Sequence, residues 1–291
     1  MEINAGQVKE LREKTGLGMM ICKQALIDAN GDMSLAIENL RKQGQATAAK
    51  RAGKSVKEGK VTIVSDNSAS IVFEVNSETD FVARNDDFIA FVDKLGTVLL
   101  EKKPSDLESA RKITSPLFGD ISVENRLTEL IGKIGENITF RRYRKLEVNP
   151  AEERIFSYLH GNGRIGVLVK IKADKALDSE AMATLGKDLA MQVAAANPMA
   201  VDRESVSAEV IAKEKEIYQT QAQSSGKPEK IWDKIVDGKL EKFFQEFTLV
   251  EQAFIRNPDM NITSRIKETE KETGAKIKVL SFVRLELGAE E

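Results

Sequence analysis

A strand-turn-strand-helix pattern occurs twice in this sequence, about 95 residues apart, and it limits the possible folds more than any other feature. In the first copy, apolar residues alternate over Ile71–Val75 after an Asp66-Asn67 turn, and a helical period follows. In the second copy, Ile155–His160 and Ile165–Ile171 flank a glycine turn before a helical stretch that ends near Asn197. The repetition predicts an α+β protein with two duplicated core subdomains.

Three short helical periods precede the first copy, within residues 1–43. Asn4 is suited to cap the first helix, Asn30-Gly31 to end the second, and Asp32 to begin the third. Each is too short to be stable alone, so together they predict a small bundle. Residues 44–60 are rich in Lys and Arg among Ala and Gly, and we interpret them as a solvated linker rather than a phosphate-binding arm.

A third kind of segment interrupts the second copy. Two helical stretches flank the turn Ser225–Pro228, which predicts an antiparallel helical hairpin. Its second arm carries an apolar stripe, and its first arm offers only Val210, Ile217 and their neighbours; the stripe is Trp232, Val236, Leu240, Phe243 and Phe247. The predicted domains are an N-terminal domain with its basic linker (1–54), a first core subdomain (55–147), a second core subdomain (148–203 and 249–291) and the inserted hairpin (204–248).

Composition excludes several functions. The 46 acidic residues nearly cancel the 44 basic ones, and aromatics make up only 5%, so nothing favours direct binding to nucleic acid or to an anionic membrane. One cysteine and one histidine cannot form a His/Cys metal cluster. No apolar run reaches the ~18 residues of a membrane span, and the N-terminal residues lack a signal peptide's pattern. We expect a cytoplasmic protein that contains no metal or cofactor site.

Two glycine-rich motifs resemble nucleotide-binding loops. Gly53-Lys54-Ser55 ends like a phosphate-binding loop, but a strand is predicted after it where a helix is required. Gly161–Gly166 fits the spacing G-x-G-x-x-G, but a strand again follows, so these glycines are predicted to form a hairpin turn. His160, beside this turn, is most simply a turn residue that is hydrogen-bonded locally.

Thr79-Asp80-Phe81-Val82 is the most distinctive short segment, because it places an aromatic residue in a polar connection between a strand and a helix. Aromatic residues in short connections usually point inward, which favours Phe81 as a core residue. The alternative is an exposed aromatic on a rigid corner, the type of residue that dominates protein interfaces. Spacing alone does not separate the two.

Several motifs, in order along nearly the whole chain, resemble those of the bacterial elongation factor Ts family. They are Thr15–Met20, Cys22-Lys23, Ala25-Leu26, Asn30–Asp32, Ala36–Glu38, Thr79–Ala83, Lys133–Asn137, His160-Gly161 and Arg164–Leu168. The resemblance implies an N-terminal three-helix domain of ubiquitin-associated type, two related α+β core subdomains, and a helical hairpin (coiled coil) inserted in the second.

The same resemblance implies a nucleotide exchange factor for elongation factor Tu, without covalent chemistry of its own. Thr79, Asp80, Phe81 and Val82 match the family segment that displaces magnesium from the partner, with Phe81 wedged between two partner helices. Partner contacts are implied for Arg12, Met19, Met20 and His160. GDP, GTP and magnesium would all be bound by the partner, so this chain would need no cofactor.

Two further hypotheses stay open at this stage. One is an RNA-binding accessory module of the translation apparatus, which would use the basic linker and the hairpin. The other is a homodimer formed through the helical hairpin.

Overall fold

The computed structural model describes residues 3–290, which form two compact units. The first unit contains the residues up to Val64, Phe73–Arg144 and the end of the chain from Glu286. The second contains Ser65–Val72 and Lys145–Leu285. Helices and small antiparallel sheets make up both, as the predicted α+β class requires.

Three N-terminal helices open the first unit: α1 (Ala5–Thr15), α2 (Met19–Asp28) and α3 (Met33–Arg51). Asn4 and Gln7 form a capping box on α1, and the Asp32 side chain caps α3, as predicted. Their shared core is formed by Val8, Leu11, Cys22, Ala25, Leu26, Ala29, Ala36 and Leu40.

Helix α3 is longer than the sequence pattern indicated. Residues 44–51, which we predicted as part of a solvated linker, continue the helix to Arg51. Alanine is the strongest helix former and is frequent in this segment. In addition, Gly44 lies against Gly132 of α7 (Val123–Ile134), where a Cβ on Gly132 would come within 2.7 Å of the Gly44 Cα. The missing side chains allow the two backbones to pack closely.

The first sheet has the strand order β1-β2-β5, with β1 at Glu58–Ser65, β2 at Ala69–Ser77 and β5 at Ile138–Glu147. Short helix α4 (Asp80–Ala83) and long helix α5 (Asp86–Lys102) follow β2. The apolar face of α5 is buried: Phe88, Phe91, Val92, Leu95 and Leu99. Helix α6 (Leu107–Lys112) and a two-stranded ribbon, β3 (Thr114–Ser115) with β4 (Ile121–Ser122), lead to α7; the sequence analysis did not identify this ribbon.

The second sheet has the order β10-β7-β6, with β6 at Glu153–His160, β7 at Ile165–Ala173 and β10 at Ile277–Glu286. Helix α8 (Glu180–Ala196) ends at Asn197, which has a left-handed conformation, close to the predicted end. Gly186 of α8 lies directly beneath the Phe156 ring, because a Cβ there would come within 2.0 Å of Cγ. A ribbon, β8 (Ala253–Phe254) with β9 (Asn257–Asn261), and helix α11 (Ile262–Thr273) complete the unit.

Two further helices, α9 (Ala208–Gln223) and α10 (Trp232–Phe247), pack against each other on either side of the turn Ser225–Pro228. Val236, Leu240 and Phe243 of the predicted stripe are buried, and Trp232 and Phe247 are partly buried. The predicted facing residue Ile217 is exposed. Val210 packs against α10 as predicted, together with Ile211, Tyr218 and Ala222. Ile211 and Tyr218 each follow Val210 or Ile217 by one residue, so they lie about 100° further round the helix.

The two ends of this helical pair are held together locally. The backbone N–H of Met199 donates to the carbonyl of Phe247, and that of Leu249 donates to the carbonyl of Ala200. Arg203 pairs with both Glu241 and Glu251, and these two carboxylates raise the pKa of the guanidinium above its ordinary value. No helix within residues 3–290 has the length and apolarity required to cross a bilayer.

Candidate functional site

The connection from β2 to α5 is a tight corner built around α4. Thr79 has an extended conformation and caps α4, its side-chain oxygen accepting from the Val82 backbone N–H at 3.5 Å. Asn85 caps the next helix by accepting from the N–H groups of Asp87 and Phe88 at 2.9 and 3.4 Å. Successive caps leave no long flexible segment between strand and helix.

Phe81 and Val82 point in opposite directions at this corner. Val82 is 6% exposed and contributes to the core, whereas Phe81 is 79% exposed. The interpretation of Phe81 as a core residue is therefore wrong, and the alternative of an exposed aromatic describes the structure. Val82 and Phe88 already anchor the corner, so the inward-facing positions are occupied by other residues.

Asp80 lies beside the exposed ring and pairs with Arg84, with 2.9 Å between Oδ2 and Nη2. Both side chains are substantially exposed, so the pair is accessible to a partner and contributes little to stability. The surface at the corner therefore presents one large aromatic ring next to a carboxylate.

Two acidic residues hold the base of this corner. Glu136 accepts from the backbone N–H of Thr79 at 3.1 Å and from its hydroxyl at 3.0 Å. Glu78 accepts from the backbone N–H of Asn137 at 2.6 Å and also pairs with Arg51 at 3.4 Å. The sequence alone predicts no role for these residues, because an acidic residue in a loop gives no signal of its partner.

The three candidate contact residues of the N-terminal helices are all on the surface. Arg12 lies in the last turn of α1, and Met19 and Met20 are the first two residues of α2. Met19 is 43% and Met20 74% exposed, which is unusual for methionine. These residues belong to the same compact unit as Thr79–Val82.

His160 belongs to the second unit, at the end of β6. It is exposed, and its Nδ1 lies 3.0 Å from the Tyr158 hydroxyl. The predicted local hydrogen bond of a turn residue is thus present, and the exposed ring remains available for other contacts.

Neither glycine motif has the geometry of a nucleotide loop. Gly161, Asn162 and Gly163 have positive φ and connect β6 to β7, where His160 pairs with Ile165, so the predicted hairpin turn is confirmed. Gly53-Lys54-Ser55 follows the end of α3 and leads into β1, so no helix begins where phosphate would bind. Within residues 3–290, no group of three or more His, Cys, Asp or Glu side chains is arranged to hold a metal ion.

Comparison with known proteins adds a family assignment to this geometry. Residues 78–289 match the sequence profile described as Elongation factor TS. The chain is 44% identical over 288 residues to Elongation factor Ts of Syntrophotalea carbinolica, covering 99% of this chain and 94% of that protein. It is 43% identical to Elongation factor Ts of Clostridium novyi (98% and 93% covered) and of Prosthecochloris aestuarii (99% and 99% covered).

Proposed function

The chain belongs to the elongation factor Ts family of translation factors, and we propose that it binds elongation factor Tu in its GDP form and promotes GDP release so that GTP can bind. The observation that carries this proposal is the exposure of Phe81. A ring that is 79% exposed can enter a partner without any change in the core of this protein. Because it lies on a capped, rigid corner, it also loses little conformational entropy on binding.

The proposed mechanism is mechanical. Phe81 inserts between two helices of the partner, and Asp80 enters beside it, so that the ligands of the bound magnesium ion shift. Mg²⁺ tolerates little departure from octahedral geometry with ligand distances near 2.0–2.1 Å. A small displacement of its ligands therefore lowers the affinity of the partner for GDP. Thr79 and Val82 hold the wedge, one as a helix cap and one as a buried anchor.

No covalent step is involved, since the factor only binds nucleotide-free partner better than GDP-bound partner. Thermodynamic linkage then makes the weakening mutual: GDP lowers the affinity for the factor as much as the factor lowers the affinity for GDP. GDP, GTP and Mg²⁺ are all held by the partner in this scheme.

Other surfaces supply affinity in this proposal. Arg12, Met19 and Met20 contact the partner from the N-terminal helices, and His160 faces its third domain. Exposed methionines suit such a contact, because their flexible thioether side chains adapt to an apolar surface. We also propose the family's finer architecture: a ubiquitin-associated-type N-terminal domain and two duplicated core subdomains, the second interrupted by a coiled-coil hairpin.

The deciding experiment measures release of a fluorescent GDP analogue from elongation factor Tu, chased with excess GDP, with and without this protein. We expect acceleration that saturates with factor concentration. Unchanged release at a large excess of factor would refute the proposal.

The RNA-binding alternative predicts a different salt dependence. RNA affinity should fall steeply with salt, because counterions are released from the phosphates, whereas exchange driven by an aromatic wedge should fall less. Self-association through the helical hairpin is a separate prediction, tested by the molar mass of the isolated protein in light scattering.

A further inference from the structure

The corner that carries Phe81 is held by two reciprocal backbone hydrogen bonds, which we call the Glu clasp: the Asn137 N–H donates to the Glu78 carboxylate, and the Thr79 N–H donates to the Glu136 carboxylate. The Glu136 carboxylate accepts from the backbone N–H of Thr79, one residue after Glu78. The Glu78 carboxylate accepts from the backbone N–H of Asn137, one residue after Glu136. Each carboxylate therefore accepts from the backbone N–H next to the other glutamate. This fixes the position and the direction of both backbone segments.

The clasp joins the corner to the loop after α7. This helix ends at Gly135, which has a φ of 83° and no atoms near the site of its missing Cβ, so the chain can turn sharply to present Glu136. Asn137 in turn donates from Nδ2 to the carbonyl of Lys54 at 3.0 Å, and its side chain is buried. The clasp thus rests on a fixed support.

The clasp matters because little else orients Phe81. The ring itself is 79% exposed, so packing contributes little to its orientation. Helix α4 has four residues, too few to be stable without outside contacts. The bond from the Val82 N–H to the Thr79 hydroxyl is long, at 3.5 Å, so the cap alone is weak. The remaining fixed points are buried Val82, the Ser77 hydroxyl, which donates to the Thr79 carbonyl at 2.9 Å, and the charged acceptor Glu136 on the Thr79 N–H and hydroxyl.

From this geometry we infer that Glu136 is a positioning residue for Phe81, acting through Thr79. The inference rests on the proposed exchange function. Without the Glu136 carboxylate, Thr79 loses the acceptor for its N–H and its hydroxyl, and only the Ser77 bond to its carbonyl still holds the start of α4. Phe81 then samples several directions, and a displacement of about 1 Å is enough to lower a rate up to ~100-fold when a group must be placed accurately.

The effect should fall on the maximal exchange rate. Factor with a loosened corner still offers its other surfaces for binding, so the concentration that gives half-maximal exchange should change by less than ~3-fold. The maximal rate of GDP release should fall ~10-fold or more in Glu136→Ala. Glu136→Gln retains one acceptor oxygen on a side chain of equal length, and it should recover most of the rate.

The experiment compares Glu136→Ala, Glu136→Gln and wild type in the GDP-release assay over a full range of factor concentration. Glu124→Ala is the matched control: it removes one carboxylate from α7, where the side chain is exposed and far along the helix from the clasp. Its maximal rate should equal that of wild type.

A second measurement uses the free protein and does not depend on the partner. Amide hydrogen exchange of the segment 79–85 should be faster in Glu136→Ala than in wild type by ~10-fold or more, and near wild type in Glu136→Gln and Glu124→Ala. If Glu136→Ala does not fold, Glu136→Asp, which keeps the charge but shortens the side chain by one methylene, should show the same losses.

The outcomes separate the two proposals. No acceleration by the wild-type protein defeats the proposed function, while the amide measurement still tests the clasp. Normal acceleration by wild type together with an undiminished maximal rate in Glu136→Ala overturns the inference alone. So does a slowed rate with unchanged amide exchange, because the carboxylate would then act by a route other than position.

Discussion

At the scale of single residues, the corner shows two adjacent apolar side chains in opposite environments. Val82 is buried with Phe88, and truncation of such a residue removes buried area and leaves a cavity. Phe81 has most of its surface in water, so its truncation removes little from the folded state. Its apolar area becomes useful only when another surface covers it.

We predict that Phe81→Ala leaves the melting temperature nearly unchanged and slows catalysed GDP release. Truncation of an interface hot spot costs about 2 kcal/mol or more, which is roughly a factor of thirty in an equilibrium constant. Thermal denaturation and the GDP-release assay measure the two effects. Asp80→Ala should likewise weaken exchange without unfolding the protein.

Phe88→Ala is the matched control, since that ring is fully buried seven residues later. Its truncation should cost ~3–5 kcal/mol of folding free energy. A Phe81→Ala protein that melts as low as Phe88→Ala, or that exchanges nucleotide normally, would show that the wedge is elsewhere.

Two helical glycines give a second residue-scale test, with opposite signs. Gly186→Ala places a Cβ within 2.0 Å of the Phe156 ring, and overpacking of this kind costs ~1–3 kcal/mol or more. Gly238 in α10 has nothing within 4 Å of its missing Cβ, so Gly238→Ala should stabilise its helix by ~0.5–1 kcal/mol. Chemical denaturation of both variants measures the difference. Equal effects from the two substitutions would contradict the packing described at Gly186.

At the scale of secondary-structure elements, the sequence predicts features that depend on neighbouring residues, but not features that depend on contacts with distant ones. The caps Asn4 and Asp32, and the glycine turn after His160, were all predictable because each acts within a few residues. The extension of α3 is supported by alanine propensity and also by the close contact of Gly44 with Gly132, which is 88 positions away and cannot be read from local spacing. The Glu clasp was missed for the same reason.

The helical pair α9–α10 should be removable without loss of the core. The residues packed between α8 and its sheet include none from this pair, and hydrogen bonds among 199–201 and 247–250 hold its two ends. We predict that replacing residues 207–245 by a short Gly/Ser linker preserves a single cooperative thermal transition, while far-ultraviolet circular dichroism shows less helix.

This cut keeps Phe247, whose carbonyl accepts from the backbone N–H groups of Met199 and Ala200, and Leu249, whose N–H donates to the Ala200 carbonyl. A linker of the same length with Phe247 also replaced serves as the comparison, and it should be less stable. Loss of the cooperative transition in the first variant would mean that Phe243, which packs against Ala200 and Val206, is part of the core.

At the scale of the whole molecule, the sequence has nearly equal numbers of acidic and basic residues, and buried carboxylates in both units are paired with arginines. Glu74 is fully buried and pairs with Arg142 in the first unit. Asp188 is buried in the second unit and pairs with Arg256 and Arg265 at 2.7 and 2.9 Å. Buried carboxylates need such partners, so these ion pairs belong to the folded structure of each unit.

We predict that the whole chain binds neither GDP nor GTP. Gly53-Lys54-Ser55 leads into a strand, and Gly161–Gly166 forms a hairpin turn, so neither segment offers a row of free backbone N–H groups at a helix start. Isothermal titration calorimetry of the protein alone should show no heat of binding. Micromolar binding that disappears in Lys54→Ala would contradict this expectation.

Cys22 gives the molecule a built-in reporter. It is the sole cysteine of the sequence, and its side chain is fully enclosed by the three N-terminal helices. A thiol-reactive dye can therefore attach only when those helices open, and every attachment event comes from that one place. The labelling rate of the unmodified protein, followed with and without elongation factor Tu, would measure how often the bundle opens and whether partner binding closes it.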